Sequence, residues 1–281
     1  MSGKLESTGK GTLFIVPTPI GNLKDITLRA LETLSEVDLI ACEDTRHTLK
    51  LLNHFEIKKP LLSYEKFSES RKLNYLIEKL KYGENIALVS DGGTPLISDP
   101  GARLVIEARN SGITVIALPG ACAFITALSA SGFNGKFRFI GFFPRKQGQA
   151  LSEIVKMKNS DEITAFYESP KRLVSTLERI REHLGNAETC VARELTKIHE
   201  EYSIGSISEC ISRFKDKEPK GEITVIIRGC TDDQGEMPDI TFKAKELLEN
   251  GYSKRDAAKI LHDLYKRPKN EIYGMLLGKT E

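Results

Sequence analysis

From Gly11 onward the chain alternates short apolar runs with amphipathic ones. TLFIVPT (12–18), DLIACE (38–43), LLSY (61–64), NIALVS (85–90) and ITVIAL (113–118) read as strands. They are continuously apolar, as strands covered on both faces of a parallel sheet are. Helical periods lie between them. TLRALETLSEV places Leu28, Leu31 and Leu34 on one predicted face. SRKLNYLIEKLKYG carries the stripe Leu73, Leu76, Ile77 and Leu80 and stops at Gly83. RHTLKLLNHF and ARLVIEARNSG read as two further helices. Strand–helix repetition of this kind predicts an open parallel α/β sheet, here over residues 11–132.

The pattern pauses at SGFNG (131–135), and a second series follows over 133–230. FRFIGFF, EITAFYE, TCVAREL, EEYSIG and GEITVIIRG read as strands. PKRLVSTLERIREHLG reads as a helix, with Ser169 as its N-cap, Pro170 in the first turn and Gly185 beyond its end. SISECISRF opens with the capping-box pair Ser206 and Glu209. The strands at 189–195 and 200–205 are joined by a short link, which predicts antiparallel pairing and a mixed sheet.

Residues 231–240 read as a polar linker and 241–281 as a small helical extension. In that extension Ser253 and Asp256 cap one helix and Pro268 opens another. Its Lys and Arg residues outnumber its acids, so it reads either as a solvated cap, with Leu247, Leu248, Ile260, Leu261 and Leu264 turned inward, or as an RNA-contacting hairpin. Residues 1–10 read as a disordered tail without the apolar core of a signal peptide.

Composition narrows the partners. The chain has 281 residues, 40% hydrophobic and 28% charged, with a net charge of +2. That is ordinary for a globular protein, so basic surface for nucleic acid has to be local. The five cysteines form no C-x-x-C pair, which argues against a zinc site or a disulfide framework and suits a reducing cytoplasm. No run is long enough to span a membrane.

The unusual segments all follow strands of the first series: PTPIGNLKD, EDTR, SDGGTPLISDPG and LPGACA. In open α/β sheets the carboxyl edge is where ligands bind. The long loop at Ser90–Gly101 exceeds the two to six residues such connections usually need. No G-x-G-x-x-G or P-loop is present, which disfavours dinucleotide oxidoreductases and P-loop NTPases. What remains is a surface of glycine and proline backbone with small apolar side chains such as Ile97 and Ala123. It suits a neutral or zwitterionic ligand with an adenine.

VPTPIGNLKDIT, ACEDTR, SDGGTPLISDPG, ALPGACA, FYESPKRL, ARELTKIHEE and PKGEITVII resemble, in order, the signature segments of the tetrapyrrole-methylase-like (class III) S-adenosylmethionine-dependent methyltransferases. EDTR and ARELTKIHEE resemble its ribosomal RNA subfamily, which methylates the ribose 2′-oxygen of a decoding-site cytidine in 16S rRNA of the small ribosomal subunit. The resemblance implies a cytoplasmic homodimer, no metal, no DNA and no membrane, with the S-adenosylmethionine cleft between two α/β domains. It implies a donor pocket involving Ile20, Asp91, Gly92, Gly93, Thr94, Ile97, Cys122, Ala123, Tyr167, Glu168, Leu195, Gly221 and Thr224. The first loop, PTPIGN, departs from the acidic glycine-rich loop of porphyrin-methylating members and argues against such a substrate.

Methyl transfer to a ribose hydroxyl needs in-line positioning and a base or cation near the oxygen. Candidates are Glu43, Asp44 and Arg46 in EDTR, Glu168, and Glu194 and Lys197, with Arg193, His199 and Glu200 beside them. Each also has a plain reading: Glu43 and Asp44 as helix caps, Arg46 as a surface charge, and Glu194 with Lys197 as a surface ion pair. Arg145 and Lys146 in FPRKQGQ read as either phosphate contacts or a solvated turn. The alternatives to an rRNA enzyme are a related methyltransferase acting on a small molecule or protein side chain, and a non-catalytic RNA-binding factor.

Overall fold

A computed structural model describes residues 9–65, 69–216, 218–229, 240–265 and 268–276. Residues 1–8 of the tail expected at 1–10, residues 231–239 of the linker expected at 231–240, and Cys230, Lys266 and Arg267 lie outside the described residues. The chain divides into two compact units: Met1–Thr126 with Leu195–Ile198, and Ala127–Glu194 with His199–Glu281. The division falls at 126/127 rather than 132/133, the first unit takes four residues from far downstream, and the helical extension belongs to the second unit.

In the first unit the elements are β1 (Thr12–Ile15), α1 (Leu28–Glu36), β2 (Leu39–Cys42), α2 (Thr45–His54), β3 (Leu61–Ser63), α3 (Glu69–Lys81), β4 (Ile86–Val89), α4 (Ala102–Asn110) and β5 (Thr114–Ala117). α5 (Ala123–Ser131) runs past the division. The sheet is wholly parallel, in the order β3-β2-β4-β1-β5. β2 and β4 are buried at every position, as their unbroken apolar sequences require. β5 is only partly covered because it is an edge strand.

Helices cover both faces of this sheet. Leu73, Leu76, Ile77 and Leu80 of α3 pack with Leu104 and Ala108 of α4 over Leu13, Ile15, Ile86 and Leu88. Ala30 and Leu34 of α1 pack with Leu52 of α2 over Val16, Ile40, Cys42 and Val89. The buried face of α1 is therefore Ala30, Thr33 and Leu34, and Leu28 of the expected stripe is 79% exposed.

This topology sets the site. The connection leaving β1 leads to α1 on one face, and the connection leaving its neighbour β4 leads to α4 on the other. The carboxyl ends of β1 and β4 therefore flank a crevice, the topological switch point at which open α/β sheets bind ligands.

The second unit contains β6 (Phe137–Phe142), α6 (Gln147–Lys158), β7 (Ile163–Glu168), α7 (Leu173–Leu184), β8 (Glu188–Arg193), β9 (Glu201–Ser206), α8 (Ile207–Lys215) and β10 (Ile223–Ile227). Its sheet has the order β6-β7-β10-β8-β9. Only β6 and β7 pair in parallel; the other pairs, including β8 with β9, are antiparallel, which makes the sheet mixed as expected. The helix expected from Pro170 begins as a 3-10 turn, Pro170–Arg172, and Ser169 makes no side-chain cap there. The Ser206–Glu209 capping box forms in full. α9 (Ile240–Glu249), α10 (Lys254–Tyr265) and α11 (Lys269–Leu276) follow. Leu247, Ile260, Leu261 and Ile272 of these helices pack onto Leu151 and Val155 of α6.

Candidate active site

At the switch point the loops after β1 and β4 are bonded to each other. The Thr18 N–H donates to the Gly93 carbonyl and the Gly93 N–H to the Thr18 carbonyl, both at 2.9 Å. The Thr18 hydroxyl donates to the Ser90 carbonyl at 3.0 Å and the Ser90 hydroxyl to the Gly93 carbonyl at 3.2 Å. The Thr94 hydroxyl reaches the Ala121 carbonyl at 2.9 Å, which ties in the loop after β5. Three of the unusual segments thus form one polar framework.

The glycines line its surface. A Cβ on Gly92 would lie 3.4 Å from the Pro19 carbonyl oxygen, and one on Gly93 would lie 3.4 Å from Ile20 Cγ2. Gly93 has φ +93°, and Leu96 and Ser98 in the same loop take the left-handed region at +72° and +76°. Left-handed non-glycine residues cost of order 1–3 kcal/mol each and cluster at binding sites. Ile97, Thr94, Cys122 and Ala123 are partly buried along the same loops.

Acidic groups converge beside this framework. The Asp44 N–H donates to Asp91 Oδ1 at 3.0 Å, which joins the EDTR segment to the long loop. Burial pushes the Asp99 carboxyl up to about 6, with the Asp91 charge adding to it and a hydrogen bond from Ser90 opposing it. The Glu43 carboxyl is also raised, first by burial and then by the charges of Asp91, Asp99, Glu65 and Asp44. Asp44 behaves differently: the Arg46 side chain and backbone hold it down at about 2. It is the N-cap of α2, accepting from the Arg46 N–H at 2.8 Å, and it forks with an Arg46 that is 87% exposed. Asp99 was not among the residues expected from sequence; an acid in a glycine–proline loop becomes notable only when the fold half-buries it.

The stretch Leu195–Ile198 also belongs to the first unit. The Thr196 hydroxyl accepts from the Asn22 N–H at 3.0 Å. Gly21 lies so close that an added Cβ would meet Lys197 Cγ at 2.5 Å. Lys197 is partly buried there, Leu195 is 6% exposed, and Thr196 takes φ +65°.

The remaining candidates lie in the second unit. Glu194 takes φ +52°, and its carboxylate accepts from the Glu222 N–H at 3.0 Å, directly over Gly221. Only glycine fits at 221 without displacing that carboxylate. Tyr167 stands opposite the buried Thr224 in the β7–β10 register and packs edge-on with Phe139 and Phe142. Glu168, 3% exposed, accepts from the Ser169 N–H at 2.7 Å and the Thr176 hydroxyl at 2.6 Å, with Arg172 at 3.3 Å. Arg193 forks onto Glu201, and His199 and Glu200 are exposed.

The Tetrapyrrole (Corrin/Porphyrin) Methylases family matches residues 12–211. The chain belongs to this family. It is 45% identical over 96% of its length to the Ribosomal RNA small subunit methyltransferase I of Haemophilus influenzae, covering 98% of that protein. It is 44% identical over 94% of its length to the protein of the same name in Bacillus subtilis, covering 93% of it. Solved tetrapyrrole methylase folds are similar at low identity. A diphthine synthase superposes with a TM-score of 0.59 at 17% identity, over 78% of this chain and 90% of that one. A uroporphyrin-III-C-methyltransferase from Thermus thermophilus gives 0.55 at 18%, over 77% and 94%.

The framework fits the methyl donor of such enzymes. Gly92 and Gly93 leave open the space their Cβ atoms would fill, and the carboxylates of Asp91, Asp99 and Glu43 favour a cation. Among the described residues no cluster of His, Cys, Asp or Glu has the grouping to hold a metal ion, and no helix is long and apolar enough to cross a membrane.

Proposed function

We propose that the chain is an S-adenosylmethionine-dependent methyltransferase that 2′-O-methylates the ribose of a decoding-site cytidine in 16S rRNA, acting as a cytoplasmic homodimer on the small ribosomal subunit. The observation that carries this reading is the 45% identity to a small-subunit rRNA methyltransferase along nearly the whole of both chains. The cytidine and the 2′-oxygen rest on the likeness of EDTR and ARELTKIHEE to that subfamily.

The donor supplies an electrophilic methyl on a positively charged sulfur. In this reading Gly92, Gly93, Thr94, Ile20, Ile97, Cys122, Ala123 and Leu195 hold the donor on the first unit, with Asp91 and Asp99 offsetting its charge. Glu43 takes the hydroxyl proton: its raised affinity for protons suits a general base better than the strongly acidic Asp44. Lys197, fixed beside Gly21, stabilises the developing oxyanion, while Asp44 and Glu194 hold Arg46 and the Gly221 turn.

The test is transfer of labelled methyl from S-adenosylmethionine to purified small subunits, followed by mass mapping of the rRNA. One added methyl on the ribose of a single decoding-site cytidine is expected. Label on protein or small molecules, or no turnover, sinks the reading.

A further inference from the structure

The carboxyl edge of β6 and β7 carries basic side chains that the mechanism above does not use. These strands are parallel neighbours, so the connections that follow them leave from the same edge. The connection after β6 bears Arg145 and Lys146; the 3-10 turn after β7 bears Lys171 and Arg172. Arg172 Nη2 donates to the carbonyls of Phe143 and Pro144, at 3.2 Å each, and pairs with the fully buried Glu168 carboxylate at 3.3 Å. Thr176 and the Ser169 N–H hold that carboxylate from its other sides. Arg172 is thus a fixed clasp that draws the two connections together.

The clasp leaves the other three cations outward. Arg145, Lys146 and Lys171 are exposed, and none has an ion-pair partner among the described residues. Several other cations of this unit are paired instead: Arg138 and Lys156 with Glu153, Arg193 and Arg213 with Glu201, and Arg228 with Glu188. Lys146 is also the N-cap of the twelve-residue α6 and gives its first-turn N–H groups no side-chain partner, so the helix dipole adds to the positive field.

We propose that this edge is a phosphate-binding surface for the rRNA backbone, with Arg145, Lys146 and Lys171 as the contacts and Arg172 as the residue that positions them. The inference rests on the rRNA reading above. Unpaired cations on ordered backbone fit a polyanion better than a neutral or peptide partner, and contacts to phosphates position RNA without reading its sequence.

The test measures binding of small ribosomal subunits by the full chain from about 50 to about 300 mM salt, with donor affinity followed in parallel. The variant R145A/K146A/K171A is expected to weaken subunit binding and flatten the salt dependence by roughly 0.7–0.9 log unit per lost contact, about two to three units in all. Donor affinity stays native. The charge-retaining variant R145K/K146R/K171R is expected to keep the native slope. Two results overturn the proposal: an alanine variant with the native slope, or a charge-retaining variant as flat as the alanine one. Failure of the native protein to methylate subunits counts against the rRNA reading instead, and is scored separately.

Discussion

Thr18 and Gly93 exchange both of their backbone hydrogen bonds across the crevice between β1 and β4. One residue comes from a proline-flanked turn, the other is the second of two glycines and takes φ +93°. The two-bond bridge ties the two loops into one floor at the point where the chain changes sheet face.

Gly93→Val is expected to abolish donor binding while leaving the protein folded. The branched side chain would sit against Ile20 and the Ala121 carbonyl, in a conformation that L side chains rarely adopt. The strain is about 1–3 kcal/mol, within the stability of an ordinary domain. Gly92→Ala, whose Cβ finds only contacts at 3.4 Å and beyond, is expected to keep its fold and part of its affinity. Calorimetric titration with S-adenosylmethionine and thermal melts decide both; native affinity in Gly93→Val removes the loop from the donor site.

Asp99 gives a pH signature. Its pKa of about 6 in the folded chain exceeds the ordinary value of 3.8. The folded state therefore binds more protons than the unfolded state between those values, and its stability falls as pH rises through that window. Above about pH 6 the loss levels off, because both states are ionised. Asp99→Asn is expected to remove this fall, so the native and variant stabilities converge at low pH and separate toward neutrality, with the variant the more stable. Urea midpoints at pH values on either side of 6 check it. Donor binding should move the other way, strengthening as Asp99 and Glu43 ionise, and less so for the uncharged thioether product than for the sulfonium donor.

Much of this framework is legible in the sequence. Leu39–Cys42 and Ile86–Val89 announce buried central strands because nothing polar interrupts them. The long loop announces itself by its glycines and prolines. α1 is less readable: three leucines suggest a stripe, but Leu28 faces outward and the buried positions are Ala30, Thr33 and Leu34. The transfer of Leu195–Ile198 to the first unit leaves no mark on periodicity. The raised carboxyls of Glu43 and Asp99 are also silent in sequence, since they come from burial and from acids brought together by three different connections.

Glu43 and Glu168 should separate chemistry from stability. Glu43→Gln is expected to cut the single-turnover methyl-transfer rate by roughly 10²-fold or more with little change in melting temperature, as loss of a general base does. Glu168→Gln breaks a buried carboxylate's links to Ser169, Arg172 and Thr176, and is expected to cost about 3 kcal/mol of stability. Quench-flow rates beside urea melts make the comparison. If Glu43→Gln turns over within about twofold of native, a barrier change of only ~0.4 kcal/mol, the base lies elsewhere.

The three C-terminal helices are predicted to act on stability through α6. Leu261 is fully buried and Ile260 is 3% exposed, and they share a cluster with Leu151 and Val155. Lys254, Arg255 and Lys259 lie on the outside of α10. Leu261→Ala is expected to cost about 2–5 kcal/mol, the range for a large-to-small change in a packed core. Deleting residues 240–281 should do more, because it uncovers the apolar face of α6; a heat-labile or insoluble protein is expected. Lys254→Ala, Arg255→Ala and Lys259→Ala together remove charge without touching that core, so their melting temperature should stay native. The two sets of variants then divide the readings of this segment. If truncation leaves a soluble protein with native melting behaviour, the cap is dispensable, and the packing seen in the cluster contributes nothing measurable. If truncation is labile while the triple alanine variant binds small subunits with native affinity and salt slope, the segment is a cap alone. A flattened slope in the triple variant would give α10 a phosphate contact as well, separable from its packing because the residues lie on opposite sides of one helix.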